Sequence, residues 1–188
     1  MITKNTHGPV ETFKYRDLPA IQVWGVMDAF TKLGEMKDFY AIIELGTDYG
    51  GLTNALADNI VSKNADIHTF DINGSRFKNY HSDKITFHNI DYLQNWDKVI
   101  GIAVRYLGPV LFLCDGGNKK AEYEKLSQHL AYGDCIMVHD YFPNREAFNA
   151  NDGRWNWWEF DDDHTQYAGL VKSVDFFDNY AWFFRERM

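Results

Sequence analysis

The chain has 188 residues, 45% of them hydrophobic and 24% charged, with a formal net charge of −8. That length suits one domain, 1–188, with a real core. The acidity and the lack of any basic stripe argue against nucleic acid as a partner. Met1 to Glu11 carries no apolar targeting segment, and no apolar run approaches the roughly 20 residues a membrane helix needs. A soluble, cytoplasmic protein with no membrane partner is therefore expected. Cys114 and Cys135 lie inside apolar runs and read as free core thiols, with no disulfide or zinc spacing.

In chain order, residues 1–20 are polar and broken by Gly8-Pro9 and Pro19, and read as an N-terminal arm with little structure of its own. Ile21, Trp24, Met27, Ala29, Phe30 and Leu33 recur at helical spacing up to Gly34. Five strands are expected, at 40–45, 66–71, 84–88, 109–114 and 134–138. Helices are expected between them at 52–60, 92–107 and 119–130. Strands alternating with helices indicate a doubly wound, mostly parallel α/β sheet. Residues 170–176 and 180–185 read as a closing antiparallel hairpin. The stretch 142–168 breaks the rhythm and reads as a lid-like insertion, since so long a loop in a compact domain usually has a function. Its Trp155, Trp157 and Trp158 suit stacking on a ring or roofing the core, and Asp161-Asp162-Asp163-His164 reads better as a solvated cap than as a metal cluster.

In an open α/β sheet, ligands bind beyond the carboxyl ends of the strands. Those ends carry Glu44 to Gly51, Asp71-Ile72-Asn73, Asn89-Ile90-Asp91-Tyr92, Asp115-Gly116-Gly117-Asn118 and His139-Asp140-Tyr141, an acid at every one. The glycines of the first turn permit close approach of a ligand, or simply a tight βα connection. Asp71 is placed to accept from ribose hydroxyls or to cap a turn. Asp91 is placed to hold an adenine amino group or to cap the helix at Tyr92. The spacing E-x-G-x-x-x-G-G differs from the dinucleotide pattern G-x-G-x-x-G and argues against a nicotinamide oxidoreductase.

Glu44-Leu45-Gly46-Thr47-Asp48-Tyr49-Gly50-Gly51, with Asp71 and Asp91, resembles the class I S-adenosylmethionine-dependent methyltransferases. It is similar within them to the cephalosporin-hydroxylase-like and small-molecule O-methyltransferase branch. Leu111 to Tyr141 agrees with that branch, whose Asp-Gly-x-His turn and later His-Asp pair it parallels. The likeness covers 40–140 well, 170–186 loosely, and neither 1–20 nor 142–168.

The resemblance implies a Rossmann-like methyltransferase fold, S-adenosylmethionine as cofactor, and methyl transfer to a hydroxyl of a small molecule. It implies that Glu44, Gly46 and Gly50 shape the methionine pocket, that Asp71 binds ribose and that Asp91 faces adenine. Thr47, Tyr49, Gly51, Ile72, Tyr92 and Asp115 are further expected cofactor contacts. Asp115, His139 and Asp140 stand where several relatives hold a divalent metal such as Mg²⁺. The family's usual turn histidine is Asn118 here, which cannot act as a general base. The candidate catalytic positions are thus His139, Asp115 and Asn118, and a cofactor-binding protein that does not methylate is the alternative. A homo-oligomer is compatible with the sequence.

Overall fold

The computed structural model describes residues 1–59, 65–81, 83–165, 167 and 169–188. Its centre is a seven-stranded sheet. The strands in chain order are β4 (Ala41–Leu45), β5 (Asp66–Asp71), β6 (Ile85–Asn89), β7 (Val110–Cys114), β8 (Cys135–His139), β9 (Leu170–Val171) and β10 (Trp182–Arg187). Their spatial order is β6-β5-β4-β7-β8-β10-β9. The first five are parallel, and β10 runs antiparallel to both β8 and β9. The α/β fold and the antiparallel C-terminal strands agree with the sequence reading.

β4, β7 and β8 are buried along their whole length, as apolar strands must be when helices cover both faces. Alternation sends Ile42, Leu111 and Met137 to one face, where α1 (Val26–Met36) and α2 (Gly51–Asn59) pack. Ile43, Phe112 and Ile136 go to the other face, against α3 (Trp96–Ala103) and α4 (Lys119–Ser127). Cys114 and Cys135 are buried and free. Among the described residues no helix is long and apolar enough to cross a membrane.

Four expectations need correction. Residues 1–20 are no unstructured arm but a three-stranded antiparallel meander of β1 (Ile2–His7), β2 (Val10–Tyr15) and β3 (Leu18–Ala20). Gly8-Pro9 is its two-residue hairpin loop, with Gly8 at φ +59° and His7 paired to Val10. The first helix starts at Val26, five residues late, because β3 runs to Ala20 and a turn closed by Gly25 at φ +91° precedes the helix. Its apolar-face residue Trp24 is exposed. The helix at 92–107 is a 3-10 turn (Tyr92–Gln94) followed by α3, and Leu107, placed on its inner face by spacing, is fully exposed. The first closing strand shrinks to Leu170–Val171, and Phe177 beyond it fills the core beside Phe30 and Phe184. Ile60, the expected end of the second helix, lies outside the described residues.

Candidate active site

The chain runs outward from β4 through β5 to β6 and then returns to β7 on the other side of β4. Such a reversal opens a crevice beyond the carboxyl ends of the two central strands. Gly46, just after β4, and Asp115, just after β7, form its floor. They are so close that a Cβ built on Gly46 would lie 2.3 Å from the Asp115 carbonyl oxygen, so only glycine is tolerated there. Gly46 also has φ +92°.

Two cavities meet at this point. One, of about 370 Å³, is bounded by Gly46, Asp48, Asp71, Ile72, Asp91, Tyr92, Asp115 and Gly116. The other, of about 400 Å³, is bounded by Glu44, Gly46, Thr47, Gly51, Asp115, His139 and Asp140, and walled by His7, Pro19, Gln22, Trp155, Trp157 and Glu159. Most of the residues singled out in the sequence line one or both. Tyr49 and Gly50 line neither. Tyr49 lies under Arg76, and Gly50 backs onto Phe77.

The first cavity is held open by backbone anchors. Asp71 accepts from the amides of Thr47 and Asp48 at 3.1 and 3.0 Å and from that of Asn73 at 2.7 Å, so it fixes the glycine turn from across the sheet. Asp91 caps the 3-10 turn, accepting from the Leu93 amide at 3.1 Å. Both capping readings therefore hold, and both carboxylates still face the cavity. Buried Glu122 accepts from the amides of Gly116 (3.2 Å) and Asn118 (3.0 Å) and from the Tyr92 hydroxyl (2.8 Å). It thereby ties the β7 turn to the far wall.

Asn118, a candidate catalytic position in the sequence, stands at the start of α4. Its side-chain oxygen accepts from the Ala121 amide at 3.1 Å and caps α4, and it lines neither cavity. An N-cap needs a short polar side chain turned back on the helix, and that is how the Asn118 side chain is engaged.

Glu44 is fully buried and accepts from the hydroxyls of Thr53 and Thr69, each at 2.5 Å. Burial pushes its carboxyl up to about 8, with Asp115 and Asp71 adding to the rise against those two hydrogen bonds. Glu44 is thus largely protonated at neutral pH until a cation comes beside it.

Asp115, His139 and Asp140 converge as expected, with one ligand atom of each within 4.8 Å of the others. His139 Nδ1 lies 2.8 Å from Asp115 Oδ1 and 3.5 Å from Asp140 Oδ1. Its ring stacks on Trp182 and tilts against Trp155, with centroids 4.7 and 4.9 Å away. His139 Nε2 is buried and has no partner among the described residues. Burial alone would lower the imidazole's affinity for a proton, but Asp115 and Asp140 overcome it and raise it above the ordinary histidine value. Asp140 turns into the site at φ +57°, a conformation rare outside glycine. Burial opposes its charge, and His139, Lys119 and the Trp155 hydrogen bond outweigh burial to lower its carboxyl below the usual range.

Every carboxylate oxygen of this pair already accepts a protein N–H. Asp115 Oδ1 takes His139, and Asp115 Oδ2 takes Gln22 Nε2 at 2.6 Å. Asp140 Oδ1 takes Trp155 Nε1 at 2.7 Å, and Asp140 Oδ2 takes the Lys119 ammonium at 2.9 Å. With a cation in place and His139 presenting a proton to Asp115, the arrangement does not fit a divalent metal. Gln22, Lys119 and Glu122 were not singled out in the sequence. The nearest signal was Lys119-Lys120 at a helix start, where the helix dipole favours acids.

Within the inserted segment, residues 159–160 fold back onto the end of β8. The amides of Glu159 and Phe160 donate to the Asp140 carbonyl at 3.0 and 3.2 Å. Trp155 is a buried brace for Asp140, Trp157 reaches the cavity beside His7, and Trp158 packs on Phe148 outside it. Asp161 caps the 3-10 turn Asp162–His164.

No protein-family profile and no curated protein matches the sequence. The fold matches solved structures. A structure of CmcI with Mg and S-adenosylmethionine aligns at TM-score 0.55 and 19% identity over 68% of this chain and 56% of that one. CmcI with S-adenosylhomocysteine aligns at 0.54 and 19%, over 71% and 70% of the two chains. A methyltransferase from Geobacter sulfurreducens aligns at 0.53 and 14%, over 86% and 77%. The chain spans just over half the length of the first of these. The fold is therefore that of the class I methyltransferases, as the resemblance implied.

Proposed function

We propose that this chain is an S-adenosylmethionine-dependent methyltransferase acting on a hydroxyl of a small molecule. The observation that carries the reading is the meeting of two cavities at Gly46 and Asp115, one edged by Asp71 and Asp91 and the other by His139. In this reading the donor's nucleoside part occupies the first, and its methionine part passes Gly46 into the second. Asp71 receives the ribose hydroxyls, Asp91 and Tyr92 flank the adenine, and Ile72 covers its face. Glu44 ionises to pair with the methionine ammonium, while Thr47 and Gly51 present the start of α2 to the methionine carboxylate.

When bound, the cofactor would supply an electrophilic methyl carbon whose leaving group is a neutral thioether. The acceptor shares the second cavity with that methionine part and lies against Trp157. His139 Nε2 takes its hydroxyl proton, and Asp115 holds the Nδ1–H and steadies the charge that forms. The acids around that cavity disfavour phosphate- or carboxylate-bearing acceptors.

Two measurements test this. Calorimetry should detect S-adenosylhomocysteine binding in the wild type and its weakening in Asp71→Ala. A labelled methyl donor offered with sugars and phenols should then yield product. No cofactor binding would overturn the reading. Binding without transfer across the panel would favour a non-methylating pocket, the reading that Asn118 in place of a histidine supports.

A further inference from the structure

Lys119 is the first residue of α4, and its side chain turns away from solvent with only 6% exposed. An ammonium has three protons to donate. Here they meet the Asp140 Oδ2 at 2.9 Å, the Glu159 Oε2 at 3.1 Å and the Gly116 carbonyl at 2.9 Å. The three oxygens come from three separate segments: the end of β8, the inserted loop and the turn after β7. A positive charge in the first turn of a helix is unfavourable by itself, and burying one is costly unless it is paired. The surrounding carboxylates are what make the position tolerable. Burial opposes the charge, but Asp115, Asp140 and Glu159 hold the ammonium above its ordinary value.

We infer that the Lys119 ammonium is the built-in cation of the Asp115–His139–Asp140 pocket, so that this chain holds no divalent metal there and gains a metal site when the ammonium is removed. The oxygens around Nζ are hard donors of the kind that hold Mg²⁺ or Mn²⁺. Lys119 takes up the charge of Asp140 without offering open coordination positions. It also has no proton left for a substrate, so it is a positioning residue. Taking away the ammonium uncovers Asp140 Oδ2, Glu159 and the Gly116 carbonyl together, beside Asp115 and His139.

The test is Mn²⁺ binding to the full chain, followed by electron paramagnetic resonance after removal of adventitious metal. It reads metal alone and does not depend on methyl transfer. Wild type and Lys119→Arg should bind Mn²⁺ no better than Asp140→Asn. Lys119→Met, which keeps the bulk and loses the charge, should bind one equivalent at least about tenfold more tightly than wild type, and Asp140→Asn in that background should abolish it. One equivalent bound by wild type and lost in Asp140→Asn would overturn the inference. So would a folded Lys119→Met, judged by circular dichroism, that binds no more tightly than wild type. Should Lys119→Met fail to fold, the wild-type and Lys119→Arg titrations decide: stoichiometric uptake overturns the inference, and its absence supports it.

Discussion

Gln22 donates to Asp115 at 2.6 Å and accepts from Trp182 Nε1 at 2.9 Å, joining the N-terminal segment, the central turn and β10 in one relay. Gln22 is buried, and an unpaired buried indole N–H costs about 1–3 kcal/mol. Gln22→Leu should lower the melting temperature by about 2–12 °C, at roughly 2–4 °C per kcal/mol for a chain of this size. It should also free Asp115 to rotate, so that turnover falls while S-adenosylhomocysteine affinity stays unchanged. A variant with wild-type melting and turnover would show that the relay is idle.

Glu44 gives a prediction with two opposite signs. Its folded value, about 8, lies above the ordinary glutamate value. The stability it contributes is therefore fully present below about pH 4.5 and lost as pH rises through 8. Glu44→Gln should be more stable than wild type at pH 9, by about 1–3 kcal/mol given the protein's capacity to relax. At the same pH it should bind S-adenosylhomocysteine more weakly. In wild type, that affinity should rise from pH 6 to pH 8 by up to about tenfold per unit. PH-independent binding would mean that the ammonium pairs elsewhere.

His139 also has a raised value, set against burial by Asp115 and Asp140. Its stabilising charge is complete below the ordinary histidine value of about 6.5 and disappears as pH climbs through the raised one. In the proposed reaction the dependence runs the other way, because only the neutral ring accepts a proton. Turnover should thus rise with pH through that same raised value while the melting temperature falls. His139→Gln should cost about 10²–10⁴ in kcat and leave cofactor affinity intact. A flat pH profile in wild type would remove His139 as the base.

Asp71→Ala should weaken S-adenosylhomocysteine by about 1–3 kcal/mol through lost charge-assisted hydrogen bonds. Asp71 also anchors the amides of Thr47 and Asp48, so the variant should speed hydrogen exchange at those amides. Asp71→Asn retains an acceptor and should restore the exchange protection but not the full affinity. Equal affinity in all three proteins would place the ribose elsewhere.

The central sheet and the convergence of Asp115, His139 and Asp140 were legible because strand periodicity is local and strand ends in a parallel sheet share one edge. What was illegible depends on distance. Gln22 reaches Asp115 from 93 positions away, and Lys119 reaches Glu159 from 40. No window of sequence reports such pairings. The N-terminal meander was partly legible: Gly8-Pro9 was seen as a break when it was a hairpin loop. Asn118 was identified by its place in a motif, but the geometry of a helix cap decides its side chain.

The β1–β3 meander bears directly on when, during folding, the cavity beside His139 is completed. Pro19 presses so closely on Gly51 that a Cβ there would meet its carbonyl at 2.1 Å, and Gln22 is tied to Trp182. During synthesis on the ribosome, residue 22 emerges long before residue 182, so the cavity lined by Gln22 and His139 lacks its Trp182 anchor until β10 has docked beside β8. The nascent protein can gain its sheet strand by strand, but it acquires its pocket only at the end.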